Sequence, residues 1–403
     1  MTLSEELKWR GFTNQTTFTD PQALDDLPLT FYWGVDPSSD SMQVGNFAIA
    51  MMIRHFIDHG HHAVLLVGGA TGMIGDPDGK DEERSLKPLE EVARNKAGIA
   101  AQYKRVFEGQ PFTIVDNYDW FRDIGYLQFL RETGKHFSMT QLLDRDFVQS
   151  RIGDGGAGLS YAEFSYSLMQ GYDFLHLHRE MGVTLQVCGA DQWGNSLSGV
   201  QLIRKLDSHE AHIWSAPLVI NKSTGKKFGK SEDGAVWLDE KRTSVYQFYQ
   251  FWLNTDDEGV IDYAKIYTLL PREKIDRLTA ATKANPGARE AQKTLAFEVT
   301  KLVHGKERAE SVRRVTDVLF GGHNVDSLTS DDLEVLAAEI PVAPAGSVLD
   351  ALVATGLLKS TSEGKRLLAS GAISVNGEKV SEDVAVSAAS LIKKGKNSFV
   401  LVR

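Results

Sequence analysis

Apolar and polar positions alternate along this chain in two distinct periods. Residues 30 to 36 and 63 to 67 read as short buried strands, the second being the unbroken apolar run Ala-Val-Leu-Leu-Val before Gly68-Gly69. Between them, residues 42 to 58 carry Val44, Phe47, Ala48, Met51, Met52 and Phe56 at helical spacing, with Asp40 or Ser41 in place to cap. Strand, helix, strand at this spacing predicts a βαβ unit and hence a parallel sheet. Helical patterns follow at 87 to 107, 125 to 133 and 163 to 181, then a strand at 184 to 188 and a helix near 195 to 206. The expected fold class is α/β: a Rossmann-like parallel-sheet domain over 1–235. A helical domain over 236–325, a linker rich in Asp, Ser, Pro and Ala over 326–346 and a small α+β domain over 347–403 complete the chain. The last of these centres on a tight Asn376-Gly377 turn.

Composition narrows the choice of class. With 403 residues and 42% apolar side chains, the chain can build two or three cores. The run at 63 to 67 is far too short to cross a bilayer, and Met1 to Gly11 shows no signal-peptide pattern, so no membrane partner is expected. The single cysteine, Cys188, excludes an internal disulfide framework and fits a reducing, cytoplasmic setting. His59, His61 and His62 have metal-like composition but fall at a helix-to-strand turn, where surface histidines are expected; no Cys/His cluster suggests zinc. Net charge is −10, yet residues 345 to 403 hold eight Lys/Arg against five Asp/Glu, so a +3 tail follows a −13 body. That asymmetry points to a polyanion partner or to an ordinary lysine-bearing terminus.

Four segments carry candidate chemistry. Lys227-Phe228-Gly229-Lys230-Ser231 is a cationic loop suited to clamping polyphosphate, or a solvated basic turn. It falls short of a Walker A loop, because three residues separate Gly225 from Gly229 where that motif has four. Gly68 to Pro77 follows a strand and lets backbone approach a ligand, with Asp76 beside it. Tyr166, Gln170 and Asp173, spaced four and three apart, share one helix face that is either solvated or lines a polar pocket. Gly189-Ala190-Asp191-Gln192-Trp193-Gly194-Asn195 sits at a strand's carboxyl end before a helix, where open α/β sheets bind ligands and where Asp191 or Asn195 can also cap.

Together with Tyr32-Trp33-Gly34-Val35-Asp36-Pro37, these segments resemble the bacterial tyrosyl-tRNA synthetases, class I aminoacyl-tRNA synthetases, in order from about residue 5 to the C-terminus. The last sixty residues are similar to a small RNA-binding fold first named for a ribosomal protein. The resemblance implies activation of tyrosine by ATP, accompanied by Mg2+, and transfer to the 3′-terminal adenosine of tRNA-Tyr by a homodimer. Carried onto this sequence, it implies that Tyr32 and Asp173 bind the phenol hydroxyl and that Asp76, Tyr166 and Gln170 bind the ammonium. Gln192 would orient the carboxylate end, with Asn117 in support. Asp36, Gly45, Gly189 and Asp191 would hold ribose and adenine, and Lys80, Arg84, Lys227, Lys230 and Ser231 would surround the pyrophosphate. Two positions depart from the family. Its His-x-Gly-His signature reads Gln43-Val44-Gly45-Asn46, whose amides donate hydrogen bonds but never become cationic; Gln43 and Asn46 would still face ATP. Trp33 stands where the family usually has a small residue near the ribose. A non-catalytic RNA-binding relative that has lost activation is the alternative, and activation of tryptophan a third reading.

Overall fold

The computed structural model describes residues 1–77, 87–153, 155–231 and 234–403, with the backbone alone at 141, 146, 147, 230 and 231. The chain divides into two compact units, residues 1–243 with 255–291, and residues 244–254 with 292–403.

The first unit is built on a six-stranded sheet. Its strands are β1 (Gln15–Thr16), β2 (Thr30–Val35), β3 (His62–Val67), β4 (Phe112–Asp116), β5 (Leu185–Gly189) and β6 (His212–Ala216), in the order β1-β6-β5-β2-β3-β4. All neighbours are parallel except β1 against β6. Parallel strands are covered on both faces, which is why β3 after His62 is apolar without alternation and why β5 is wholly buried. Chain order runs outward from β2 in one direction through β3 and β4, and from β5 to β6 in the other. The reversal opens a crevice at the carboxyl ends of β2 and β5.

Four helices frame that crevice: α1 (Val44–Asp58), α2 (Leu89–Val106), α3 (Tyr161–Met181) and α4 (Trp193–Asp207). The apolar stripe expected on α1 is its buried face. Its cap is neither Asp40 nor Ser41. Gln43 holds the cap position in an extended conformation, and its N–H donates to Asn46 Oδ1 at 3.1 Å. Asp40 instead accepts from Arg242 Nε (2.6 Å), and Ser41 Oγ donates to the Met42 carbonyl (3.0 Å). The histidine turn also differs from the surface reading: His59 and His62 are exposed, but His61 is buried and its Nδ1 accepts the Leu29 N–H at 3.1 Å.

The helical stretch expected after residue 235 is shared between the units. Helices Val260–Tyr267 and Arg272–Ala284 belong to the first, tied by the Arg10 guanidinium to the carbonyls of Lys265, Thr268 and Leu270. Helices Val245–Leu253 and Lys306–Phe320 belong to the second. The stretch expected as a linker folds there as well. It carries helix Ser330–Glu339, where Thr329 makes a capping box with Asp332. Asp332 is itself buried against Arg314 (2.7 and 2.8 Å). Leu336 joins a core with Val315, Leu319, Leu391, Phe399 and Leu401. Its polar composition serves capping and an ion pair rather than disorder. The final residues form a five-stranded sheet in which Asn376 and Gly377 both take positive φ (49° and 88°), the hairpin turn that their sequence predicts.

Candidate active site

The carboxyl ends of the parallel strands open into a cavity of about 620 Å³. β2 delivers Tyr32 and Asp36, β5 delivers Gln186 and leads to Gly189, Asp191 and Gln192, and β4 ends beside Asn117. Helix α3 adds Tyr166, Gln170 and Asp173, so the face that spacing left as solvated or pocket-lining lines the pocket. That helix is held by a Ser160–Glu163 capping box, whose Glu163 is also buried in an ion pair with Arg151 (3.1 Å).

One end of the cavity gathers buried hydrogen-bonding groups. Asp173 is 2% exposed; its Oδ2 accepts from Asn117 Nδ2 (3.0 Å) and its Oδ1 from Trp120 Nε1 (2.9 Å). Burial pushes this carboxyl well above its usual range, the two donors pull the other way, and the negative charges of Asp36 and Asp116 add to the rise. A carboxylate oxygen can accept two hydrogen bonds, so both retain capacity. Close by, the Tyr32 hydroxyl is buried without a partner, and its phenol is pushed far above its ordinary value by burial and then by Asp173. It stays a donor. Gln186 is the cross-strand neighbour of Tyr32, and its Oε1 is also buried without a partner. Buried polar atoms are almost always satisfied, so two orphans facing one cavity mark a place for a polar ligand.

The adjoining wall is acidic, linked to Asp173 through Thr71 and Asn117. Asp36 accepts from Tyr166 Oη (2.7 Å) and Thr71 Oγ1 (2.7 Å), so two residues expected on different parts of the ligand are bonded to each other. Asp76 accepts from Gln192 Nε2 (2.6 Å) and Asn195 Nδ2 (3.4 Å). Neither Asp191 nor Asn195 caps α4: Gln192 holds the cap position, Asp191 is exposed at the lip, and Asn195 is buried in the polar wall. The glycines after β3 have a reason distinct from ligand approach. A Cβ on Gly69 would overlap Asp116 Oδ1, and one on Gly68 would overlap Asp36 Oδ1. They are small so that neighbouring strands can place carboxylates across the turn.

The third side joins the start of α1 to the lysine loop. Gln43, Gly45 and Asn46 line the cavity, as does Lys227, the sole cationic side chain among the described residues that line it. Val44 N–H donates to the Val236 carbonyl (3.1 Å), Val236 N–H to the Gly229 carbonyl (3.0 Å), and Leu238 N–H to the Met42 carbonyl (3.0 Å). The first amide of α1 is thereby used by the segment that follows the loop. Gly229 lies at φ +100°, with a hypothetical Cβ 3.2 Å from Val44 Cβ, so only glycine seats the loop this close. Phe228 anchors it by stacking on Tyr263 (4.1 Å, 22°). Lys80 and Arg84 lie outside the described residues, as do the side chains of Lys230 and Ser231.

The sequence reading had no signal for Trp120, for Gln186 or for Trp237, which also lines the cavity, because each acquires its part only through the fold. Trp33 is buried against Tyr103 (5.4 Å between rings) and also borders the cavity. Cys188, which also borders the cavity, has its thiol pushed up to about 12 by burial, partly offset by Ser196.

Sheet order, crevice and lysine loop are those of a class I aminoacyl-tRNA synthetase. Residues 25–321 match the family described as tRNA synthetases class I (W and Y), and residues 332–403 match the tyrosine–tRNA ligase SYY-like C-terminal domain. The chain is 42% identical over 422 aligned positions, spanning 100% of both sequences, to a tyrosine–tRNA ligase 2 of Bacillus cereus and equally to that of Bacillus anthracis. Among solved structures it resembles a C-terminally truncated mitochondrial tyrosyl-tRNA synthetase of Aspergillus nidulans, with a TM-score of 0.72 and 29% identity. That match covers 79% of this chain and 94% of that one. A tryptophanyl-tRNA synthetase of Encephalitozoon cuniculi shares the fold at a TM-score of 0.56 and 13% identity, over 83% of this chain and 92% of that one. This chain belongs to the tyrosyl-tRNA synthetases.

Proposed function

We propose that the cavity binds tyrosine and ATP, joins them as tyrosyl-adenylate, and passes the tyrosyl group to the 3′-terminal adenosine of tRNA-Tyr. The observation that carries the tyrosine assignment is the unpartnered, buried Tyr32 hydroxyl beside a doubly held Asp173. A phenol entering there donates to Asp173 and accepts from Tyr32, whereas phenylalanine leaves the Tyr32 hydroxyl unpartnered and offers Asp173 no further bond. The ammonium is received by Asp76, Tyr166 and Gln170, and the carboxylate end is oriented by Gln192. Asp36, Gly45, Gly189 and Asp191 flank the nucleoside.

The tyrosine carboxylate attacks the α-phosphate, a C–O–P bond forms, and the bond to pyrophosphate breaks with its electron pair on the leaving oxygen. Alignment and charge neutralisation do most of this work. Lys227, with Lys230, Ser231, Lys80 and Arg84, stabilises the departing pyrophosphate, while Gln43 and Asn46 contribute neutral amide donors from the start of α1. A ribose hydroxyl of the tRNA then attacks the tyrosyl carbonyl and releases AMP. Among the described residues no group of three His, Cys, Asp or Glu is arranged to hold a metal. Mg2+ would arrive on the ATP phosphates, where it would supply charge neutralisation.

We also propose a cytoplasmic homodimer. No described helix is long and apolar enough to cross a membrane. Tyr126 (62% exposed), Leu127 (78%) and Tyr161 (61%) supply apolar surface for a second copy, with the Tyr126 and Tyr161 hydroxyls 3.4 Å apart. Sedimentation at micromolar concentration tests the dimer. Tyrosine-dependent exchange of pyrophosphate into ATP tests the activity: exchange with tyrosine and not with phenylalanine or tryptophan is expected. No exchange with tyrosine would leave an RNA-binding protein without activation, and equal exchange with all three would refute the hydroxyl site.

A further inference from the structure

Arg145 precedes helix Asp146–Ile152, outside every motif identified in the sequence. Its guanidinium reaches α4, where Nη2 donates to Ser198 Oγ (2.7 Å) and Nη1 to Asn195 Oδ1 (3.3 Å). Asn195 is 2% exposed, and its Nδ2 donates to Asp76 Oδ1 and to Gln192 Oε1, both at 3.4 Å. Gln192 Nε2 in turn donates to Asp76 Oδ2 at 2.6 Å.

The direction of these bonds is forced by chemistry. A guanidinium only donates and a carboxylate only accepts, whereas an amide can do either according to which way it is turned. Asn195 stands between the two, so its oxygen must face Arg145 and its nitrogen must face Asp76. The Asn195 nitrogen then requires the oxygen of Gln192, which leaves the Gln192 nitrogen for Asp76. One cation at the edge of the unit thus sets the polarity of two amides and presents Asp76 with a donor on each oxygen.

We infer that Arg145 is a positioning residue for the amino-group end of the tyrosine site, acting through Asn195 on Asp76 and Gln192. This rests on the reading of the cavity as a tyrosine site. Replacing Arg145 by glutamine supplies a group that can accept as well as donate. Asn195 can then turn over and offer its oxygen to Asp76, where two acceptors repel.

The test is calorimetric titration of the full-length protein with tyrosine, with tyramine, and with 4-ethylphenol, which lacks both the ammonium and the carboxylate. In Arg145→Gln, tyrosine and tyramine should bind about three- to tenfold more weakly, the loss of roughly one hydrogen bond, while the ligand without nitrogen changes by less than about twofold. Arg145→Lys, which still only donates, should recover most of the affinity. In an Asn195→Ala background, Arg145→Gln should produce no further loss. Equal weakening of all three ligands, or additive effects of the two substitutions, would make Arg145 a general structural residue and overturn the inference. Wild-type protein that bound no tyrosine would instead overturn the reading of the cavity beneath it. If Arg145→Gln does not fold, Arg145→Lys decides alone: a loss as large for the nitrogen-free ligand as for tyrosine overturns the proposal.

Discussion

Tyr32→Phe should move stability and binding in opposite directions. In the free protein the Tyr32 hydroxyl is buried with no partner, and its cross-strand neighbour Gln186 leaves an acceptor unpaired as well. An unsatisfied buried polar group costs about 1–3 kcal/mol. Deleting the oxygen removes that cost and leaves the ring, which packs on Phe174 at 5.1 Å, in place. The substitution should therefore stabilise the first unit by about 1 kcal/mol, or raise its thermal midpoint by about 2 °C. Tyrosine, however, loses the donor that its phenol oxygen accepts, which should weaken binding about three- to tenfold. Phenylalanine makes no such bond, so its activation should hardly change and the selectivity ratio should fall by the same factor. Differential scanning fluorimetry reads the first effect, and pyrophosphate exchange with each amino acid reads the second. A variant that is less stable by about 1 kcal/mol or more, with tyrosine binding intact, would show that the hydroxyl holds the fold and refute the argument.

Asn46→Ala removes the oxygen that caps Gln43 N–H and an amide that lines the cavity, so denaturation should show a loss of about 1 kcal/mol. Single-turnover adenylate formation should slow while tyrosine affinity holds. Gly69→Ala drives a methyl into the Asp116 carboxylate, and the expected outcome is protein that fails to express in folded form or melts many degrees lower. His61 supplies the pH prediction. Burial lowers its pKa to about 4, and Leu29 N–H donates to the nitrogen that a proton would occupy. The unfolded chain binds that proton first, so the stabilisation is complete above about pH 6.5 and is lost as pH falls towards 4, the loss reaching about 2 kcal/mol by pH 5. His61→Gln should flatten urea-derived stability between pH 7 and 5, and an unchanged slope would assign the dependence to other groups.

The sequence by itself determined what local spacing can encode. An unbroken apolar run marks a strand buried on both faces, a period of 3.6 marks α1, and Tyr166, Gln170 and Asp173 share a helix face whatever the fold does with it. The lysine loop and the Gly189 to Asn195 turn were legible because chemistry and chain order coincide there. The caps were not. Asp40 and Ser41 have the right composition, but Arg242 engages the first, and the Gln102 amide and Asp239 N–H engage the second, all far away in sequence. The cap passed to Gln43. Polarity misled in the same way between residues 326 and 346, where Asp332 is hydrophilic in isolation yet is buried against Arg314. Only the tertiary structure could decide whether the α3 face meets water or a ligand, because that depends on strands whose order along the sheet differs from their order along the chain. For the same reason Trp120, Gln186 and Arg145 carry no local signature. Each is defined by a partner remote in sequence, Asp173, Tyr32 and Asn195 respectively, and a hydrogen bond or strand pairing formed across the fold leaves no period in the sequence.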